Sequence, residues 1–156
     1  MEKVLKIIEL LKEKKLTVAT AESCTGGLAA SAFVDIPGAS DVYRGGVVSY
    51  HEELKESILG VKRTTIDKYT VVSSQVAGEM CRGAAERCGA DVGISSTGCA
   101  GPDGGTEESP VGTVFIGVYI GGKSYTKRLS LKGDRNQIRN SAVSEMLSML
   151  TELLTG

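Results

Sequence analysis

The chain of 156 residues contains no tryptophan, two phenylalanines and one histidine. So few aromatics leave no platform on which single-stranded bases could stack. Charge of one sign is missing too: eighteen Lys and Arg face nineteen Asp and Glu, for a formal net charge of −1. Without a basic run there is no electrostatic footprint for nucleic acid. No apolar stretch approaches the roughly 20 residues of a membrane span, and Met-Glu-Lys-Val-Leu-Lys at the start lacks the apolar region of a signal peptide. These absences predict a cytoplasmic protein with neither nucleic acid nor membrane as partner. The four cysteines, Cys24, Cys81, Cys88 and Cys99, include no C-x-x-C pair and read as reduced thiols. With one histidine there is no conventional zinc set. A carboxylate site for Mg²⁺ around Asp103, Glu107 and Glu108 stays open, although loop acids are ordinarily just solvated.

The length suits one domain with a sizeable core, spanning 1–156. Residues 2–15 carry Val4, Ile7, Ile8 and Leu11 at helical spacing between Lys and Glu. Leu16 to Ala21 reads as a strand. Gly26-Gly27 opens a helix to about Asp35, which Pro37-Gly38 ends. Residues 43–50 form a strand, and a short helix over 52–59 is closed by Gly60. Ser73 caps a helix to about Arg87, with Gly89 closing it. Strands follow over 90–97, 112–120 and 123–131, the last two joined by the hairpin signal Gly121-Gly122. A helix runs from about Asp134 to Leu154. Helices interleaved with strands predict an α/β fold, a three-layer α/β/α sandwich, and the hairpin makes its sheet mixed.

In such sheets ligands favour the crevice at the carboxyl ends of the strands. Three polar, glycine-rich segments follow predicted strands: 21–27, 50–55 and 97–105. In the first, Ser23 stands before Gly26-Gly27 and a helix start, whose free N–H groups can hold an anion or oxyanion. Ser23 or Thr25 can equally be a plain N-cap. The G-x-S-x-G elbow is absent. A serine nucleophile needs a base, for which the second segment supplies His51 or Lys55. At an ordinary pKa of about 10.4 hardly any lysine is neutral at pH 7, so burial or a positive potential must lower it. A place in the first turn of the 52–59 helix, where the macrodipole disfavours an ammonium, acts in that direction. A solvated Lys55 is the plainer alternative. Tyr50 at the strand end can relay a proton or donate to an oxyanion. The third segment is a candidate for close backbone approach to a ligand, or a surface loop. It is neither a Walker A loop nor G-x-G-x-x-G. Arg135, in the first turn of the last helix, fits a bridging anion or an ion pair with Asp134 or Glu145.

Taken in order, Thr-Ala-Glu-Ser-Cys-Thr-Gly-Gly (20–27), Gly-Val-Val-Ser-Tyr-x-x-x-x-Lys (46–55), Ser-Thr-Gly-Cys-Ala-Gly-Pro-Asp-Gly-Gly (96–105), Pro-Val-Gly-Thr-Val (110–114) and Gly-Asp-Arg (133–135) resemble the CinA C-terminal domain family, the competence/damage-inducible proteins. The likeness runs from about residue 4 to 154. It implies a mixed, mostly parallel five-stranded sheet and a homodimer. It also implies the family reaction, in which nicotinamide mononucleotide becomes nicotinate mononucleotide and ammonia without a metal or other cofactor. The catalytic constellation it implies falls on Ser23, Tyr50 and Lys55. The nucleotide is then held by Thr25, Gly26, Gly27, Thr97, Gly98, Gly101 and Arg135. A non-catalytic nucleotide-binding module is the alternative. Larger members carry a further N-terminal domain associated with nucleotide-pyrophosphatase activity, an activity not expected of these 156 residues. Glu52 stands where the family often has asparagine. An acid there is expected to bond Lys55 and raise its pKa.

Overall fold

The computed structural model describes all 156 residues. In chain order the elements are α1 (Glu2–Lys14), β1 (Val18–Glu22), α2 (Leu28–Val34), β2 (Tyr43–Val48), α3 (Glu52–Ser57), α4 (Arg63–Tyr69), α5 (Ser74–Cys88), β3 (Val92–Gly98), β4 (Thr113–Ile120), β5 (Lys123–Ser130) and α6 (Arg135–Thr155). A single 3-10 turn, Ala39–Asp41, precedes β2. α4 is an addition to the sequence reading. It buries only Ile66 and has no side-chain cap, so it shows neither an apolar stripe nor a start signal.

One sheet in the order β2-β1-β3-β4-β5 runs through the molecule. β1 pairs in parallel with β2 and β3, whereas β3–β4 and β4–β5 are antiparallel. Four of the five strands therefore point the same way and β4 alone is reversed. Gly121 and Gly122, at φ 61° and 79°, make the β4–β5 turn with the positive dihedrals that such a hairpin requires.

Helices cover both faces, giving the three layers. Successive strand residues point to opposite faces. Val18, Ile94, Ile116 and Val118 thus join Ile7 and Leu11 of α1, Phe33 of α2 and Met146 and Leu150 of α6 in the larger core. Ala19 and Ala21 face the other way, against Val76, Met80 and Ala84 of α5, with Leu59, Val61 and Ile66 closing that smaller core. The small side chains on this face let α5 pack closely across the sheet.

The central parallel strands set the position of the site. Glu22, the last residue of β1, is in register with Val48 of β2 and Ser96 of β3. The segments after these three strands consequently emerge at one edge, where the chain leaves β1 for β2 on one side and leaves the adjacent β3 for β4 on the other. That is the topological switch point of an open α/β sheet. β5 shares the strand direction, so α6 begins at the same edge.

Candidate active site

A cavity of about 480 Å³ opens at that edge, lined by Ser23, Cys24, Tyr50, Lys55, Thr97 and Arg135 among others. Its size suits a small-molecule ligand. Ser23 is in the turn directly after β1, its N–H donating to the Ser96 carbonyl at 3.1 Å. It is only 7 % exposed.

Lys55 is 1 % exposed although it belongs to the polar helix Glu-Glu-Leu-Lys-Glu-Ser. Its Nζ lies 2.9 Å from Ser23 Oγ, 2.7 Å from the Ser49 carbonyl oxygen and 3.4 Å from that of Tyr50. Burial pushes its ammonium down from 10.5 to about 8, with Cys24 and Glu52 opposing. Burial is the dominant cause, not the expected helix dipole; α3 has six residues, and Lys55 is already in its last turn. Glu52 does not bond Lys55 as expected. It accepts from Arg63 at 3.3 Å, and Arg63 also pairs with Asp67 at 3.2 Å.

This geometry has a protonation-dependent meaning. An ammonium donates three bonds. A neutral amine has two N–H groups and one lone pair. The Ser49 and Tyr50 carbonyls accept the two N–H bonds, and the lone pair then faces the Ser23 hydroxyl. Burial pushes the thiol of Cys24, next to the serine, up to about 11, so at neutral pH it stays protonated. His51 is the N-cap of α3, its Nδ1 accepting from the Glu53 N–H at 3.2 Å, and it makes no hydrogen bond to Ser23.

Tyr50 departs from the expected relay. Its side chain is 64 % exposed, and its hydroxyl accepts from Arg135 at 3.1 Å instead of touching Ser23 or Lys55. Arg135 also donates to the Gly101 carbonyl at 2.6 Å. It pairs with neither Asp134 nor Glu145. Asp134 is engaged in a capping box with Gln137, and Glu145 is 3.8 Å from Lys127.

Thr97, Gly98 and Gly101 line the cavity, but Thr25, Gly26 and Gly27 do not. The N-terminus of α2 is already occupied from inside. The buried Glu22 carboxylate accepts from the Ala29 and Ala30 N–H groups at 2.8 and 3.0 Å and from the Thr25 hydroxyl at 2.7 Å. Thr25 in turn meets Ser96 Oγ at 2.7 Å. An internal anion thus takes the place of a bound one, which overturns the expectation that these N–H groups await a ligand. The remaining lining includes Val71, Val72 and Asp103, which the sequence reading did not select as ligand contacts. Nothing in their local pattern marks the two valines. No three His, Cys, Asp or Glu side chains come together as a metal-binding group. No helix is long and apolar enough to cross a membrane.

The model of the family described as "CinA C-terminal domain" matches residues 2–154. A CinA-like protein of Kosmotoga olearia is 47 % identical over 148 residues, covering 95 % of this chain and 36 % of its own length. One from Dictyoglomus thermophilum is 50 % identical over 133 residues, covering 85 % and 32 %. The chain spans about a third of the length of the curated relatives it matches. Among solved structures, a competence/damage inducible protein from Agrobacterium tumefaciens is 36 % identical and superimposes with a TM-score of 0.94, covering 99 % of this chain and 94 % of that one. A competence-damaged protein (CinA) superfamily protein from Escherichia coli gives 37 %, 0.93, 97 % and 88 %.

Proposed function

The chain belongs to the CinA C-terminal domain family, and on that premise we propose that it hydrolyses the carboxamide of nicotinamide mononucleotide to nicotinate mononucleotide and ammonia. The observation that carries the reading is the buried Lys55 amine 2.9 Å from the Ser23 hydroxyl, with a pKa brought down to about 8. A lysine so tuned is a general base within reach of its nucleophile.

Acyl transfer then proceeds in two steps. Neutral Lys55 takes the Ser23 proton as Oγ adds to the carboxamide carbon, and the carbonyl π electrons move onto oxygen. Backbone N–H groups of the Ser23 turn and of the 98–101 segment stabilise that oxyanion. As the C–N bond breaks, Lys55 returns its proton to the leaving nitrogen and ammonia departs. Water, deprotonated by Lys55, attacks the ester; the acid leaves and Ser23 regains its proton. No cofactor enters either step.

Arg135, steadied by the Gly101 carbonyl and the Tyr50 hydroxyl, retains donors for the 5′-phosphate. Binding energy from this remote group orients the amide at Ser23. Tyr50 is accordingly assigned to substrate anchoring and not to proton relay. The proposal includes a homodimer, which sedimentation velocity reads directly; a monomer at assay concentration counts against it.

The alternative, a nucleotide-binding module without turnover, would be favoured by an acid bonded to Lys55 that kept it protonated. Glu52 is bonded to Arg63 instead. The discriminating experiment is ammonia release from nicotinamide mononucleotide by chelator-treated protein, alongside calorimetric binding. Release is expected, with free nicotinamide a poor substrate. Binding without release favours the module, and equal turnover of the two amides contradicts the phosphate anchor.

A further inference from the structure

Arg139 lies four residues beyond Arg135, one turn along α6, and is half-buried beneath the Ser23 turn. Its Nε donates to the Cys24 carbonyl at 2.9 Å and an Nη donates to the Thr25 carbonyl at 3.2 Å. One planar guanidinium thereby grips two successive peptide units, a geometry an ammonium cannot reproduce. In a trans peptide the C=O and the following N–H point in opposite directions. With the Thr25 carbonyl held by Arg139, the Gly26 N–H points back into the turn, where it donates to the Ser23 carbonyl at 3.1 Å. That bond orients the Ser23–Cys24 peptide and turns the Cys24 N–H away from Gly26.

The Cys24 and Thr25 N–H groups have no acceptor in the protein, although both residues are buried. Unpaired N–H groups on buried residues are rare and call for an explanation. Cys24 lines the cavity next to Ser23. Position 26 is a glycine at φ +57°, and a Cβ there would lie 3.1 Å from the Arg139 guanidinium. The turn is thus shaped around this side chain.

Resting on the acyl-transfer reading above, we propose that Arg139 is a positioning residue. It clamps the Cys24 and Thr25 carbonyls and so holds the Cys24 N–H, beside the nucleophile, in place for the oxyanion. Arg139 itself touches neither substrate nor reacting atoms.

The test compares wild type, Arg139→Ala, Arg139→Lys and Ser23→Ala for ammonia release and for labelling of Ser23 by an alkyl fluorophosphonate, read by mass spectrometry. The label replaces fluoride by Ser23 Oγ at phosphorus and also develops an oxyanion, so it reports on the turn independently of the natural substrate. Removing one oxyanion donor costs about 10²–10³ in kcat, so a loosened one is expected to cost about 10–100-fold. KM should stay within about threefold, and labelling should slow in parallel. Added guanidinium ion should restore part of the loss in Arg139→Ala and nothing in Ser23→Ala. Arg139→Lys, which keeps the charge and covers the case in which the alanine variant does not fold, should show the same kcat deficit. Folded Arg139 variants with wild-type kcat and labelling rates overturn the positioning role, as does a loss confined to KM. Failure of the wild type to label at Ser23 removes the acyl-transfer reading and the positioning role with it.

Discussion

The Lys55 assignment makes a quantitative statement about pH. Burial lowers its pKa from 10.5 to about 8, a penalty on the ammonium of about 3 kcal/mol. The neutral fraction is then about a tenth at pH 7, half at pH 8 and nine-tenths at pH 9. The kcat/KM for ammonia release, which reports ionisations of the free enzyme, should rise about tenfold from pH 7 to 9 and then level off. The phosphate of the substrate, with a second ionisation near 6, contributes little to this rise. A lysine at its ordinary value would instead give about a hundredfold rise over the same range, without a plateau. A coupled ammonia assay in buffers of constant ionic strength resolves these cases. Lys55→Arg serves as control, because a guanidinium stays protonated throughout and should abolish the limb. A profile flat from pH 6.5 to 9.5, or one still climbing above 10, would refute Lys55 as the base.

The same pKa predicts a stability signature in which stability rises with pH. Because the folded value lies below the unfolded one, the cost of burying the ammonium is present in full below about pH 8. It is relieved as pH rises from 8 to 10.5. Stability relative to Lys55→Met should therefore increase across that window in urea titrations, and no such increase would argue against the lowered pKa. Tyr50→Phe removes one hydroxyl from Arg135, so it should raise KM severalfold with kcat within about fivefold; a loss of about 10³ in kcat would restore the relay role. Glu22→Ala leaves the Ala29 and Ala30 N–H groups and the Thr25 hydroxyl without their shared acceptor. This should destabilise by about 3 kcal/mol, a drop of roughly 6–12 °C in Tm by calorimetry. An unchanged Tm would mean that the turn does not depend on this carboxylate.

The layers were legible because periodicity reports burial directly. The stripe of α1, the cap of α5 by Ser73 and the double-glycine hairpin each have a local cause. α4 did not, since one buried isoleucine makes no pattern. At the site, the places of Ser23 and Lys55 in segments that follow strands were visible, but the burial of Lys55 was not. The stretch Glu-Glu-Leu-Lys-Glu-Ser reads as solvated, and only the tertiary fold, which brings Nζ against Ser23 Oγ and the Ser49 carbonyl, encloses its lysine. Thr25, Gly26 and Gly27 misled for a related reason. A helix N-terminus in a sequence looks free until the structure supplies its anion, here Glu22 from the preceding strand. Arg139 had a signal that was available, its spacing of four from Arg135, but the two arginines have different partners: Arg135 lines the cavity and bonds Gly101 and Tyr50, whereas Arg139 holds the Cys24 and Thr25 carbonyls.

The central claim is that Ser23 is the nucleophile of an amide hydrolysis, and substituting that one residue tests it most directly. Ammonia release from nicotinamide mononucleotide should be measured for wild type and Ser23→Ala, with calorimetry confirming that both bind the nucleotide. Turnover by wild type, and its loss by about 10³-fold or more in a folded, nucleotide-binding Ser23→Ala, is the predicted result. Turnover by Ser23→Ala within tenfold of wild type would contradict the account.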